Sequence, residues 1–205
     1  MSKNVYSVVL NDEIVALIDK KAFINGLSRS QMINEILAES VGFSTEKQRA
    51  NEFLDSLTDF QTDRIRVVRR QQSVIDFLSA LNYKYSPKVT YSVDLFAGED
   101  AGELKIALRT TNPDLLNITS NFFNDFILIE QKYKGDVEYS IRDGKLIRRL
   151  DFSEIKNGRE LAESISSYIN CLDKLFNEYV FDSAFGAEKR NLERNYIKLK
   201  DKMTV

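Results

Sequence analysis

The side chains that most often carry out chemistry are scarce in this sequence. It has no histidine and a single cysteine, Cys171. Without histidine, the chain has neither a Ser-His-Asp or Cys-His nucleophilic site nor a histidine-containing metal site. The sequence SYINCLDKLF around Cys171 is typical of a helix face, which favours a buried structural thiol over a redox or nucleophilic one. A lone cysteine also forms no internal disulfide.

Other catalytic chemistry stays open but has no motif behind it. The sequence shows no nucleophile beside a base, no glycine-rich phosphate loop and no cluster of metal-ligating residues. A metal site built from carboxylates, or an enzyme based on Glu, Asp, Lys or Tyr, is the remaining alternative. We therefore expect a protein that is not an enzyme and that has no catalytic residue, metal or cofactor.

Positive charge is the second source of candidate site residues. The chain carries 29 Lys and Arg against 31 Asp and Glu, a formal net charge of −2. Binding to a polyanion such as DNA would therefore need a local basic patch. In a helix, three residues of the stretch DRIRVVRRQQ share one face. These candidates for an additional DNA contact are Arg66, Arg69 and Arg70. The alternatives are a plain solvated helix face and ion pairs with the nearby Asp55, Asp59 and Asp63.

The first 44 residues predict one strand and two amphipathic helices. The run NVYSVVLND alternates with a period of two, which is typical of a strand. Asn11 fits the N-cap of a first helix that ends at Asn25-Gly26, and Ser28 begins a second helix that ends at Gly42. One strand and two short helices enclose too little core for one chain. We expect two chains to interlock and pair their strands. The residues expected in the shared core are Tyr6, Val8 and Leu10.

The rest of the chain predicts a linker and a second domain. Residues 45–84 show helical spacing and are expected to form a helical linker. Residues 85–205 show two alternating runs, a helix from Asn112-Pro113, a hairpin around Arg142-Asp143-Gly144 and another helix from Gly158. This order predicts a ββαββα-like antiparallel sheet with packed helices, followed by a charged helix. The chain as a whole is then α+β.

Residues 5–42 resemble a ribbon-helix-helix domain of the Arc and MetJ repressor type. The resemblance rests on the spacing from Leu10 to Gly26, on the turn Gly26-Leu27-Ser28-Arg29-Ser30, and on the apolar pairs Met32-Ile33 and Ile36-Leu37. It covers about a fifth of the chain. The alternative is a strand and helix pair folded onto the C-terminal part of the same chain.

The resemblance implies a homodimer or higher homo-oligomer that binds double-stranded DNA. In this family the paired strands enter the major groove, and their outward side chains contact base edges. The positions that carry over as base-reading residues are Val5, Ser7 and Val9. In the family the start of the second helix contacts the DNA backbone, and the positions that carry over are Ser28, Arg29 and Ser30. Lys3 and Asn4, just before the strand, are further candidates for a phosphate contact because of their position.

Valine on the base-reading side departs from the family pattern. Members of the family commonly place hydrogen-bonding side chains there, because base edges present donors and acceptors. Valine offers neither, but it contacts the methyl group of thymine. An A·T-rich target read through apolar contact and DNA shape is therefore one hypothesis. A ribbon that binds DNA weakly, or that meets a protein instead, is the other.

Two classes of function follow. The first is a dimeric, sequence-specific DNA-binding transcriptional regulator, a repressor. The second is a protein-binding module, such as an antitoxin or a plasmid- or chromosome-maintenance factor, in which the N-terminal unit mainly dimerises. In both, residues 85–205 are expected to sense a signal, oligomerise or bind a protein. A pocket for a small-molecule effector beside the helix with Phe122, Phe123 and Phe126 competes with the simpler interpretation that these rings are core.

The sequence also limits where the protein acts. No run of apolar residues approaches the roughly 18 needed to cross a bilayer. The N-terminus lacks the charged and apolar regions of a signal peptide. We therefore expect a cytoplasmic, nucleoid-associated protein without a membrane partner.

Overall fold

The chain forms two compact units, Met1–Asn51 and Glu52–Val205. The computed structural model describes residues 5–42, 52–53, 55–57, 62–69, 74–96, 99–155, 157–185 and 191–205. These residues form five helices and a six-stranded antiparallel sheet. The mixed α and β content expected from the sequence is confirmed.

The first unit contains two helices, α1 (Asp12–Ile24) and α2 (Arg29–Ser40). Asn11 caps α1, because its Oδ1 accepts a hydrogen bond of 2.8 Å from the backbone N–H of Glu13. Gly26 joins the helices with a φ of +63°, a conformation that glycine adopts without strain. Both helices lie where the apolar spacing predicts them. Their small shared core consists of Ile18, Ala22 and Met32.

Residues 5–10 belong to no helix or strand, so the strand expected here is not formed by the single chain. A strand needs a hydrogen-bonded neighbour, and within the described residues this segment has none. Tyr6, Val8 and Leu10, which we expected in a shared core, are exposed in the single chain. The ribbon therefore stays a prediction for two chains.

The second unit holds the sheet. Its elements are β1 (Arg66–Arg69), β2 (Val74–Ala80), β3 (Lys88–Leu95), β4 (Ala101–Arg109), α3 (Pro113–Lys134), β5 (Tyr139–Arg142), β6 (Lys145–Asp151), α4 (Gly158–Phe185) and α5 (Asn191–Leu199). The strand order is β1-β2-β3-β4-β6-β5, and each neighbouring pair is antiparallel. The β3–β4 pair, α3, the β5–β6 hairpin and α4 appear in the order that the sequence predicts. Asp143 and Gly144 both have positive φ, as a tight hairpin turn requires.

The helical linker expected over residues 45–84 is wrong in its second half. Residues 66–69 and 74–80 form β1 and β2, and both belong to the second unit. A strand forms here and not a helix because Ile75 and Phe77, two residues apart, both bury their side chains almost completely when β2 pairs with β3. Only the start of this stretch is helical, at Glu52-Phe53 and Asp55-Ser56 among the described residues.

The core of the second unit lies between one face of the sheet and the helices. Every second residue of β3 and β4 is buried in one cluster with side chains of α3 and α4. The rings of Phe122 in α3 and Phe176 in α4 stack with centroids 4.5 Å apart. Phe122, Phe123 and Phe126 are fully buried, so the interpretation of these rings as core is confirmed. Cys171 is likewise buried, as expected.

Candidate nucleic-acid interface

The start of α2 is closed by a capping box. The Oγ of Ser28 accepts a hydrogen bond of 3.3 Å from the backbone N–H of Gln31, and the side chain of Gln31 accepts one of 2.9 Å from the N–H of Ser28. Both groups of Ser28 are therefore engaged in the cap. Arg29 and Ser30 are the first two residues of α2, so their backbone N–H groups have no acceptor within the helix. They can meet an anion at this helix end.

Arg29 forms a bidentate ion pair with Asp19 of α1. Its Nε lies 2.6 Å from Oδ1 of Asp19, and its Nη2 lies 2.6 Å from Oδ2. The hydrogen bonds from the guanidinium lower the pKa of Asp19 and raise the pKa of Arg29. Both side chains are more than two-fifths exposed, so a phosphate can approach the guanidinium from solvent. The pair ties the two helices together beside the cap of α2.

The three base-reading candidates lie together on the segment before α1. Val5 and Val9 are 99 % and 100 % exposed, and Ser7 between them is exposed as well. Asn11 directly after this segment is in a β conformation, with φ −72° and ψ 139°. Lys3 and Asn4, expected to contact phosphates, lie outside the described residues. Ser30 is exposed beside Arg29.

The helix face expected from Arg66, Arg69 and Arg70 is not formed. Arg66 and Arg69 belong to β1, the edge strand of the sheet, where neighbouring residues follow a period of two. Arg66 and Arg69 lie on a strand and not on a helix because the backbone of β1 forms hydrogen bonds with β2. Arg66 is exposed at this edge, and Arg70 lies outside the described residues.

A buried charge cluster in the second unit has no counterpart in the sequence analysis. Glu130 of α3 is fully buried, and its carboxylate accepts hydrogen bonds from the hydroxyls of Tyr139 and Tyr168, the latter at 2.8 Å. Arg148 lies 3.3 Å and Lys134 lies 3.4 Å from this carboxylate. Burial lowers the pKa of Lys134 to about 8. The burial of Glu130 could have been predicted from the sequence, because it follows Phe122 and Phe126 at intervals of four and so shares their face of α3.

A second polar cluster borders a cavity of about 630 Å³. The hydroxyl of Tyr91 donates a hydrogen bond of 3.0 Å to the buried Asp173, and Arg64 lies 3.6 Å from the other carboxylate oxygen. Burial raises the pKa of Asp173. The amide of Asn177 in turn accepts from the N–H of Asn82 at 2.7 Å. These groups already satisfy one another, so the cluster joins β3 and the loop after β2 to α4.

The described residues carry neither a candidate metal site nor a membrane-spanning helix. They contain no group of three or more His, Cys, Asp or Glu side chains that could hold a metal ion. Among them, no helix combines the length and the apolar character needed to cross a membrane. Comparison of the chain with protein-family models, with curated proteins and with solved structures finds no match in any of the three.

Proposed function

We propose that the protein is a homodimeric, sequence-specific DNA-binding transcriptional regulator that acts as a repressor. In this proposal residues 5–10 of two chains pair as an antiparallel ribbon that enters the major groove. The four helices α1 and α2 of the dimer close a shared core beneath the ribbon. The proposal joins the resemblance of residues 5–42 to the geometry of the first unit.

One observation carries the proposal: among its described residues, the first unit exposes more large apolar side chains than it buries. Its core cluster has three buried apolar residues. Its exposed large apolar residues are Val5, Tyr6, Val8, Val9, Leu10, Ile14, Leu17, Phe23, Ile24, Leu37 and Val41. Burying one such side chain stabilises a protein by about 1.5–3 kcal/mol, so this surface favours a partner. A second copy of the same unit supplies both an apolar face and the missing strand neighbour.

Pairing as a ribbon would give residues 5–10 two distinct faces. Because side chains alternate along a strand, Tyr6, Val8 and Leu10 turn to the shared core when the segment pairs. Val5, Ser7 and Val9 then face the bases. The two valines favour contact with thymine methyl groups, and Ser7 is the one hydrogen-bonding side chain at the centre of this face.

Arg29 and Ser30 provide the phosphate contacts beside the ribbon. The N–H groups at the start of α2 and the positive end of the helix dipole attract a phosphate oxygen. Arg29 reaches the same phosphate when its guanidinium leaves Asp19, which is an exchange of one charge-assisted hydrogen bond for another.

Selection of binding sites from random duplex DNA tests the proposal. We expect the wild-type chain to enrich an A·T-rich, inverted-repeat sequence. Each of Val5→Ala, Ser7→Ala and Val9→Ala should change the enriched bases, because each removes a group at the base edges. Val41→Ala, at a valine that is 76 % exposed and caps the end of α2, is the control and should leave the enriched sequence unchanged. Sequence preference unaltered by all three substitutions would contradict base reading by this segment. A dimer that binds no DNA at low salt would instead support the protein-binding alternative.

A further inference from the structure

The sheet of the second unit has a face that turns away from the core, called the open face here. It is defined by the residues that alternate with the buried ones in β3, β4 and β6, and by their cross-strand neighbours in β1, β2 and β5. Side chains on this face are exposed or half-buried, apart from Asp76 and Ile147. Small and apolar residues, such as Leu78, Thr90 and Ala107, occupy its middle.

Charge on the open face is divided between its two halves. Five cations lie in the half nearest the start of β3: Arg66, Lys88, Arg109, Arg142 and Lys145. Lys105 lies opposite Ser92 in the middle row, which the buried Asp76 also occupies, and these six cations together are called the basic half. The opposite half, called the acidic half, carries Asp94, Glu103 and Asp151. Arg149 also lies there, but its guanidinium is 3.7 Å from the carboxylate of Glu99. The two halves therefore have opposite net charge.

Like charges stand directly opposite one another within each half. Lys88 pairs in register with Arg109, Arg142 pairs with Lys145, and on the other half Asp94 pairs with Glu103. Like charges at directly opposed positions destabilise an antiparallel sheet. None of the six cations of the basic half forms an ion pair with an acidic side chain in the part of the chain that the structure describes. Opposite charge from outside the chain would relieve both halves.

We propose that the open face binds the open face of a second copy of this chain. A two-fold axis that runs across the strands, between the two sheets, lays the basic half of each copy over the acidic half of the other. Such an interface buries the same patch on both subunits, so it requires a patch that complements itself, and the divided charge meets that requirement. Sheets packed in this way lie about 10 Å apart, and the half-buried Val68, Leu78 and Ala107 then contribute apolar contact.

A second copy fits the whole face better than a nucleic acid does. A phosphate backbone would be attracted to the basic half, but it would be repelled by Asp94, Glu103 and Asp151 on the same surface. Among its described strand residues the open face has no aromatic ring, and the ring of Phe96, directly after β3, already contacts the guanidinium of Arg149 at 5.7 Å. The proposal uses residues of the second unit only and does not depend on DNA binding. In this proposal the open face pairs with a different copy from the one that the first unit pairs with, so that if both interfaces form and their two-fold axes are perpendicular, four chains close into a tetramer.

Charge reversal in the full-length chain tests this interface. One variant carries Lys105→Glu with Arg109→Glu, and a second carries Asp94→Lys with Glu103→Lys. We expect each variant alone to show half the wild-type mass in sedimentation equilibrium. In each variant the reversed residues of one copy face charge of the same sign on the other copy. An equimolar mixture of the two should regain the wild-type mass, because the reversed halves complement each other. The control variant, Arg194→Glu with Lys198→Glu on the exposed side of α5, makes the same charge change away from the open face and should keep the wild-type mass.

Salt gives an independent readout that needs no substitution. The charged interface should weaken as the screening length falls from ~10 Å at 0.1 M to ~3 Å at 1 M salt, so the wild-type mass should halve. The apolar interface proposed for the first unit should persist under the same conditions, so a failure of one proposal is distinct from a failure of the other. Wild-type mass in both variants, or a mixture that stays at half mass, would overturn the proposal. Unchanged mass together with weaker DNA binding by the Lys105→Glu, Arg109→Glu variant would assign the basic half to nucleic acid instead.

Discussion

Arg29 and Asp19 join the two helices of the first unit through paired hydrogen bonds, each 2.6 Å long. The same guanidinium is the strongest candidate for a phosphate contact at the start of α2. In the proposed complex with DNA, the carboxylate of Asp19 and a phosphate therefore compete for one side chain. Asp19 lowers the affinity for DNA in this account, and it keeps Arg29 in place while DNA is absent.

Removing the competing charge should strengthen binding. We expect Asp19→Asn to raise the affinity for the selected duplex by about tenfold or less, since one charged hydrogen bond is worth about 1.5–3 kcal/mol before competition. The gain should shrink with added salt, as a phosphate contact requires. Fluorescence anisotropy at several salt concentrations measures both effects. Glu39→Gln, which removes one exposed negative charge at the far end of α2, is the control, and an equal gain in that variant would assign the effect to net charge.

The same ion pair should make the first unit sensitive to acid. The pKa of Asp19 in the folded chain lies below its usual 3.8, because the guanidinium of Arg29 stabilises the carboxylate. A lowered folded-state pKa contributes stability above the unfolded value, and that contribution is lost as the pH falls through the folded pKa. Side-chain carboxyl NMR should show Asp19 titrating at a lower pH in the wild type than in Arg29→Met. Identical midpoints in the two proteins would contradict the bidentate pair.

Neighbouring valines should have opposite roles. Val8→Asp should abolish dimerisation of the first unit, because in the proposed ribbon its side chain turns to the shared core. Val9→Asp should preserve the dimer and abolish DNA binding, because this side chain turns to the bases and would bring a carboxylate to the groove. Analytical ultracentrifugation and anisotropy on the same samples separate the two effects. Loss of the dimer in Val9→Asp with an intact dimer in Val8→Asp would reverse the orientation of the ribbon.

The buried carboxylate of Glu130 should be the most sensitive charge of the second unit. Glu130→Ala leaves Arg148 buried without its partner, and removing one member of a buried ion pair costs about 3–5 kcal/mol. Glu193→Ala breaks an exposed pair with Lys132 at 2.7 Å and should cost about 1 kcal/mol or less. Urea denaturation of both variants gives the comparison. Equal free energies of unfolding in the two would show that the cluster adds nothing to stability.

Lys134 should make the stability of the second unit rise in mildly alkaline solution. Burial lowers its pKa to about 8, whereas the unfolded chain keeps the ordinary value of 10.5. Above pH 8 the unfolded chain thus binds more protons at this residue, so the free energy of unfolding increases until tyrosines ionise near pH 10. Urea denaturation between pH 7 and pH 9 should show this rise in the wild type and not in Lys134→Met. An equal rise in both proteins would assign it to another group.

Local pattern was sufficient for most of the helices and for four of the strands. The Asn11 cap, the Gly26 turn and the Asp143-Gly144 hairpin each depend on residues close in sequence, and each lies where the pattern predicts it. The β1–β2 pair was missed because the apolar spacing from Val67 to Leu81 also suits a helix, and no glycine or proline separates the two strands.

The remaining features depend on register between distant segments. Lys88, Arg109 and Lys145 come from three strands, and their grouping appears only when the sheet order and pairings are known. The partners of Glu130 come from β5, β6 and α4, so its spacing on α3 predicts burial but not the ion pair. The partner of residues 5–10 lies on another chain in our proposal, so a single chain does not contain it.

The salt dependence of specific DNA binding tests the central claim most directly. Anisotropy titrations of the full-length chain should compare the selected duplex with a scrambled duplex of the same composition. We expect tighter binding to the selected duplex at every salt concentration, with log K falling against log salt at a slope of about −2 for two phosphate contacts per dimer, one at each α2, at ~0.9 each. Equal affinity for the two duplexes, or no binding to either at low salt, would contradict a sequence-reading ribbon formed by residues 5–10.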